Sequence, residues 1–307
     1  MASNQFWLLY AVLAARYVVI AGLAFILFYV LFSSRFSKRK IQALFPKRKD
    51  YVREVGYSFL TFFTFALVGV VLSSPAVLPH TRIYHNISDY GWGYLLLSVV
   101  LALCIHDAYF YWTHRLMHHP RLFKLFHLTH HRSVNPSPWA AFAFSPLEAV
   151  VEACVILVIA FLIPIHTVGI LLFLLFMTVY NVYGHLGYEI YPARLVNSRV
   201  GKWLNTSTNH NMHHKYFKGN YGLYFRFWDE LLHTTHPNYS KTLQKLVSQP
   251  QVQQPTKQRR KNYGGWLRLD RISVIRHGAY KSQAQTGILM EQQMTEDQTE
   301  RQACRRM

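Results

Sequence analysis

The chain of 307 residues has only three cysteines, and they lie far apart. Cys104 and Cys154 fall inside apolar runs, and Cys304 lies near the end of the sequence. This spacing excludes a disulfide framework and a cysteine-based metal motif. The sequence also lacks a Gly-rich dinucleotide fingerprint and the cysteine set of an iron–sulfur cluster. Any redox chemistry must therefore use other side chains, together with electrons from a separate protein.

Acidic residues are also scarce: 14 Asp and Glu stand against 33 Lys and Arg, for a net charge of +19. Basic residues cluster between Arg35 and Arg53, whereas the stretch from Ser73 to Gly91 carries only Arg82 against Asp89. Excess Lys and Arg in short loops marks the cytoplasmic side of a membrane protein. Nucleic-acid binding is the usual alternative for a basic chain, but attraction to anionic lipid explains this cluster with fewer assumptions.

Long apolar runs are abundant. They are Phe6–Phe32, Val55–Leu72, Trp92–Trp112, Ala149–Ile165 and Val168–Tyr183. A helix needs about 20 mostly apolar residues to cross the bilayer core. The last two runs are shorter, and they form either a tight pair of crossings or a helical hairpin that does not fully span. The sequence thus predicts an all-α, multi-pass membrane protein with about four to five transmembrane helices, and buried helices of a soluble protein are the alternative.

The topology follows from these runs. The first run lacks the basic start and cleavage site of a signal peptide, so we expect a retained anchor. With the basic loop in the cytoplasm, the N-terminus lies outside and the third run returns to the cytoplasm near Trp112. We predict three regions: membrane helices and the basic cytoplasmic loop in 1–92, a membrane and catalytic domain in 93–240, and a polar, basic, disordered tail in 241–307.

Histidines recur at helical spacing in "HRLMH", "HLTHH" and "HNMHH", and another lies in "NVYGHLGYE" at the end of the fifth run. Residues three and four apart share a helix face. Two apolar runs separate "HLTHH" from "NVYGHLGYE". Two crossings return the chain to the face that it left, so both motifs lie on the cytoplasmic face. The candidate metal ligands are His114, His118, His127, His130, His131, His185, His210, His213 and His214.

Nine imidazoles exceed the four ligands of a tetrahedral zinc site and suit two metal ions with larger coordination numbers. Imidazole binds Fe, Zn, Cu and Ni alike, so the ligand type leaves the metal open. A site beneath membrane helices faces an apolar substrate, and oxidising its C–H bonds requires a metal cofactor. Two non-haem irons activating O2 fit that chemistry. A metal transporter would instead need polar groups through the bilayer, and a haem protein would use only one or two of these histidines.

The order of these motifs, together with "HDAYFYWTHRLMHH", "PSPWAAFAFSPLEA", "GHLGYE" and "NYGLYFRFWDELL", resembles the fatty acid hydroxylase/sterol desaturase superfamily over residues 95–236. The resemblance implies a membrane di-iron enzyme that hydroxylates or desaturates lipids with O2 and a separate electron donor. It also implies that the same nine histidines are the ligands. The stretch Pro136–Phe144 is similar to that of the sterol C5-desaturase branch, in which histidine is usual at the positions of Ser145 and Asn209 here. "GHLGYE" also resembles sterol methyl oxidases and lipid hydroxylases.

We therefore expect a sterol or fatty-acyl substrate in lipid biosynthesis, with a carotenoid or alkylglycerol-type lipid as the alternative. The membrane is either the bacterial inner membrane or the endoplasmic reticulum. The donor, a cytochrome b5 or a ferredoxin with its reductase, should dock on basic residues near the histidines. These residues, whose alternative role is binding lipid headgroups, are Arg115, Arg121, Lys124, Arg132, Lys202, Lys215 and Lys218.

Several other residues have two interpretations. Asp107 either orients a ligand histidine or caps and packs a helix. Glu148 and Glu152 either support the site or lie solvated at the membrane edge, and Glu189 either neighbours a ligand or does not. Asp229 is expected to cap rather than react. His119 is expected at the membrane interface rather than as a ligand. The histidines treated as ordinary are His80, His85, His166, His233, His236 and His277.

Overall fold

The computed structural model describes residues 2–248, and nearly all of its regular structure is helical. The helices are α1 (Ala2–Phe25), α2 (Arg48–Leu72), α3 (Gly91–Met117), α4 (Pro120–Phe126), α5 (Leu128–His131), α6 (Pro146–Leu162), α7 (Thr167–Gly184), α8 (Ala193–Val196), α9 (Ser207–Tyr216), α10 (Phe227–Leu231) and α11 (Tyr239–Ser248). A π-helical turn, Ile26–Leu31, extends α1. Two short strands, β1 (Ile83–Tyr84) and β2 (Ile165–His166), pair in parallel.

Four helical segments are long and apolar enough to cross a membrane. They are Ser3–Leu31, Arg48–Leu72, Gly91–Met117 and Thr167–Gly184. The fourth predicted run forms α6, whose 17 residues are about 26 Å long. It forms a helical hairpin with α7. The expectation of an integral, multi-pass, mostly helical protein with about four to five membrane helices is confirmed.

Side-chain caps and prolines define where the helices near the histidines begin. Ser145 Oγ accepts the Glu148 N–H at the start of α6, and Pro146 occupies its first position, where a missing N–H costs nothing. Thr206 Oγ1 accepts the Asn209 N–H at the start of α9, at 3.0 Å. These caps satisfy donors that the first helical turn leaves unpaired.

Two apolar clusters hold the membrane helices together. Tyr17, Phe62 and Phe142 join α1 and α2 to the 3-10 turn Pro138–Phe142, and Tyr17 Oη donates to the Trp139 carbonyl at 2.8 Å. The second cluster packs α3 against the α6–α7 hairpin. The hairpin therefore returns the chain to the end of the bundle at which α3 finishes.

The predicted boundary at residue 241 falls inside α11, an amphipathic helix. Its buried residues Leu243 and Val247 pack with Met212 of α9. The division into three regions stays a prediction, and residues 249–307, most of the predicted tail, lie outside the described residues.

Candidate metal centre

All nine candidate histidines meet at one end of the helical bundle. They come from the end of α3, from α5 and the residue before it, from the end of α7, and from α9. The structure divides them into a five-histidine group and a four-histidine group. The five-histidine group consists of His114, His118, His127, His131 and His213. The four-histidine group consists of His130, His185, His210 and His214.

The motif spacing explains this division. Residues four apart share a helix face, and the pair His127 and His131 belongs to one group while His210 and His214 belong to the other. The remaining histidine of each H-x-x-H-H motif points about 100° away from its sequence neighbour, so it joins the opposite group. Each motif thus contributes to both groups, which places the two groups side by side.

The Nε2 atoms converge at distances that suit metal coordination. In the five-histidine group, His213 Nε2 lies 3.1 Å from His118 Nε2 and 3.0 Å from His131 Nε2. In the four-histidine group, His185 Nε2 lies 3.0 Å from His210 Nε2 and 3.2 Å from His214 Nε2. A metal–nitrogen bond of about 2.1 Å, as in zinc sites, places two nitrogens at a right angle about 3 Å apart. These distances therefore fit ions bound by several imidazoles.

The opposite ring nitrogens of several histidines are held by the protein. The Nδ1–H groups of His114 and His213 donate to the carbonyls of Tyr221, at 2.9 Å, and Gly219, at 2.7 Å. A proton on Nδ1 leaves the lone pair on Nε2, which is the form that binds metal. The buried Nε2 of His114 has no hydrogen-bond partner among the described residues, which fits a role as a metal ligand.

A similar contact holds His185, whose Nδ1–H donates to the Asn181 carbonyl at 2.8 Å. His127 differs because its Nδ1–H donates to a carboxylate, Glu148 Oε1, at 2.5 Å. Of the two interpretations of Glu148, the structure favours support of the site, since the side chain is buried. A carboxylate behind a ligand imidazole orients the ring and raises its basicity.

Burial keeps these imidazoles uncharged. It lowers the pKa of His131, His210 and His214 well below that of a free imidazole, and neighbouring imidazoles lower it further. Burial lowers the pKa of His185 to about 4. Neutral imidazole is the metal-binding form, so the groups are ready to bind cations near neutral pH.

Two aspartates hold the loop that supplies the carbonyls to His114 and His213. Asp229 accepts the N–H groups of Tyr221 and Gly222, at 2.9 and 2.8 Å, so it holds this loop and does not cap a helix. Asp107 accepts the Tyr224 and Phe225 N–H groups, so it orients this loop and contacts no ligand histidine directly. Gly219 adopts φ +76°, and a Cβ there would lie 2.5 Å from the Thr234 carbonyl oxygen.

Two contacts position α9, and the sequence gives only a weak signal for either. Glu189 Oε2 accepts the Thr208 N–H at 3.1 Å and the Thr208 hydroxyl at 2.6 Å, so it holds the first turn of the helix. Gln42, from the basic segment, donates to Asn211 Oδ1 in α9 at 2.9 Å. Glu189 thus acts through α9 rather than on a ring nitrogen.

Other histidines among the described residues lie outside both groups. His106 Nδ1 bonds the Tyr224 hydroxyl, and His119 Nδ1 accepts the Arg121 N–H at the start of α4. His80, His85, His166, His233 and His236 also belong to neither group, while His277 lies outside the described residues. Ser145 caps α6, and the Asn209 amide is buried without a hydrogen-bond partner among the described residues.

The basic residues near the histidines are mostly exposed at this end of the molecule. They include Arg115 after α3 leaves the apolar core, Lys124 in α4 and Lys218 after α9. His118 is the one half-buried member of the nine, and the Phe123 ring packs against it at 5.3 Å. His118, the most exposed of the nine imidazoles, therefore lies near the surface that carries these basic residues.

Comparison with known proteins supports a common origin for this region. Residues 99–234 match the family model described as "Fatty acid hydroxylase". The chain is 32% identical over 181 residues to Delta(7)-sterol 5(6)-desaturase ERG3B of Gibberella zeae, covering 58% of this chain and 53% of the relative. It is also 32% identical over 154 residues to lathosterol oxidase of Mus musculus, covering half of each chain. The chain thus spans about half the length of these curated relatives, and no solved structure matches it.

Proposed function

We propose that the chain is a membrane-bound, O2-dependent di-iron oxidoreductase, because residues 99–234 match the fatty acid hydroxylase family model. It hydroxylates or desaturates a lipid of sterol type in lipid biosynthesis. The observation that carries the proposal is the convergence of nine Nε2-bearing imidazoles into two adjacent groups. A metal transporter does not need two such closed groups at one end of the bundle.

The five-histidine group would hold one iron and the four-histidine group the other. When bound, the two ions supply the O2 activation and C–H oxidation that ordinary side chains cannot perform. The protein's own contribution is preorganisation. Glu148 and the carbonyls of Tyr221, Gly219 and Asn181 fix the ring orientations. Burial excludes water and keeps the imidazoles neutral.

The proposed substrate class rests on the relatives, whose names describe sterol desaturation and lathosterol oxidation. The four apolar helices support it because they bring the site next to the hydrocarbon region. We further propose that the histidine end and the basic loop face the cytoplasm, since excess Lys and Arg marks that side. An acidic carrier, cytochrome b5 or ferredoxin, would then dock at the basic surface and deliver electrons.

The test is metal analysis and turnover of the full chain, expressed in iron-replete cells and purified in detergent. We expect about two irons per chain, given more imidazoles than one ion can use. With reductase, carrier and a Delta(7)-sterol, mass spectrometry should detect a product that is either an alkene or an alcohol. One zinc per chain with no iron would contradict the proposal. Oxidation of an acyl, carotenoid or alkylglycerol lipid, but no sterol, would retain the chemistry and change the substrate.

A further inference from the structure

A small cavity lies between the membrane helices and both histidine groups. Phe110, in its wall, contacts the His114 ring at 4.8 Å, and Phe144, also in its wall, contacts the His130 ring at 5.1 Å. The cavity therefore adjoins one histidine of each group. Its lining is largely aromatic and aliphatic and consists of Phe65, His106, Phe110, Phe142, Phe144, Glu152, Met177, Asn181 and Leu223.

Glu152 is the acidic residue in this apolar wall. Its side chain is buried, with 9% of the residue exposed, and no described residue forms a hydrogen bond or ion pair with its carboxyl group. An unpaired polar group in an apolar environment destabilises the fold, and ionisable residues at membrane depth usually serve a ligand or a transport path. Glu152 makes no contact with the nine histidines, so metal support does not explain its position.

Two neutral polar residues line the same cavity. His106 uses Nδ1 to bond the Tyr224 hydroxyl at 2.9 Å, which leaves the second ring nitrogen for another partner. Asn181 uses Nδ2 to donate to the Ala141 carbonyl at 2.7 Å, which leaves its amide oxygen. Each residue is held in place by one bond and retains one polar atom, so the cavity combines a carboxyl group with two oriented polar partners.

The position of Glu152 along α6 relates this cavity to the metal centre. Glu148, one turn earlier, bonds His127 of the five-histidine group at 2.5 Å. Side chains four residues apart lie on the same helix face, about one 5.4 Å pitch apart. A group bound to Glu152 would therefore lie about one helical turn farther from the histidine end of α6 than Glu148, which bonds His127.

We propose that Glu152, with His106 and Asn181, binds the hydroxyl group of the lipid substrate. The inference rests on the proposed function and narrows its substrate class to lipids whose oxidised carbon lies a few bonds from a hydroxyl. A 3-hydroxysterol oxidised between carbons 5 and 6 has this form, because carbon 5 is two bonds from carbon 3. An acyl chain oxidised far from its head group would bring no polar atom to this position.

The size of the cavity agrees with this role. Its volume is about 20 Å³, and a polar cavity needs roughly 10–15 Å³ to hold one water-sized group. The space thus suits a hydroxyl, and the sterol rings would take the place of movable wall side chains such as Met177, a residue type that adapts readily to irregular partners. The hydroxyl subsite is preformed and the apolar part of the pocket opens on binding.

The experiment compares the binding of a tritiated 3β-hydroxy-Delta(7)-sterol with that of its unlabelled 3-deoxy counterpart, measured by competition on the purified full chain. The unaltered protein should prefer the hydroxysterol by about tenfold, as expected for a hydrogen bond to a buried polar group. Glu152→Leu should abolish this preference while binding the deoxysterol as before. Glu152→Gln, which can still donate and accept, should retain most of it.

Val158→Leu is the matched control, because it changes an exposed apolar residue of the same helix that does not line the cavity, and it should leave the preference intact. Equal binding of the two sterols by the unaltered protein, or an undiminished preference in Glu152→Leu, would overturn the proposal. Metal content of each variant is measured in parallel. Two irons with no hydroxyl preference would retain the proposed oxygenase and reject the subsite, whereas a hydroxyl preference in a chain without iron would reject the oxygenase alone.

Discussion

The five-histidine group and the four-histidine group differ in what holds their imidazoles. In the five-histidine group, His114 and His213 donate to loop carbonyls and His127 to Glu148. In the four-histidine group, His185 donates to the Asn181 carbonyl, and among the described residues no carboxylate bonds to a ring nitrogen. Two of its four imidazoles come from α9. The first group thus depends on its surrounding partners, whereas the second depends on the placement of one helix.

This difference indicates that the affinity of each group for its ion can be weakened separately. A carboxylate behind an imidazole makes the five-histidine group more basic, and His118 brings it closer to the surface. The four-histidine group is fully buried, and Glu189 supports it only by holding α9. Changes to Glu148 and Glu189 should therefore affect the two ions unequally, because α9 supplies two histidines of the four-histidine group and one of the five-histidine group.

The largest effect should come from removing one ligand from each group in turn. His131→Ala and His130→Ala change neighbouring residues that belong to different groups. Each should lower the metal content from two ions to one and abolish lipid oxidation, since both ions are needed. His213→Ala and His214→Ala should repeat the result from α9. Metal analysis by mass spectrometry, with turnover in parallel, provides the measurement.

The control for these variants is His80→Ala, at the opposite end of the bundle, which should leave metal and activity unchanged. Full activity in His130→Ala would contradict the assignment of the four-histidine group. Loss of both ions from every variant would show that the two groups bind metal as one unit, and the contrast drawn between them would then fail.

Glu148→Gln should produce the next largest effect. The amide cannot accept from His127 with the strength of a carboxylate, and loss of such an outer partner typically costs about 10–100-fold in metal affinity. One ion should become easy to remove with a chelator while the other stays bound. Glu152→Gln is the control for metal content, because it makes the same change one turn away, without a histidine contact. Equal chelation curves for the two variants would contradict the role of Glu148.

Glu189→Gln should have a smaller effect and should act on the other group. Hydrogen bonds to a charged acceptor contribute about 1.5–3 kcal/mol each, and the variant weakens two such bonds at the start of α9. We expect a melting temperature lower by several degrees and a modest loss of the ion in the four-histidine group. Thr208→Val removes only the hydroxyl bond, so its melting temperature should lie between those of the unaltered protein and Glu189→Gln. Preferential loss of the ion in the five-histidine group would contradict the proposed role of Glu189.

Spacing alone predicted which histidines meet, because H-x-x-H-H on a helix fixes relative direction and an even number of crossings restores the face. It did not predict the carbonyls of Tyr221 and Gly219, since a main-chain acceptor depends on loop conformation rather than on residue type. The sequence left two roles open for Asp107, orienting a ligand histidine or capping and packing a helix, and the structure shows that it holds the loop whose carbonyls orient two histidines. Gln42 reaches a residue 169 positions away, a pairing that no local pattern encodes.

The smallest effect concerns electron delivery, which we expect on the five-histidine side, because His118 lies there half-buried beneath Phe123. Lys124→Glu should weaken the apparent affinity for an acidic carrier a few-fold without removing metal, because reversed charge slows encounter. The effect should fade as salt rises, since the Debye length falls from about 8 Å at physiological ionic strength to about 3 Å at 1 M. Arg82→Glu is the matched control, because Arg82 is exposed in the segment between α2 and α3, away from the histidine groups. Turnover with NADPH alone, or equal effects of the two reversals, would show that electrons do not enter through this surface.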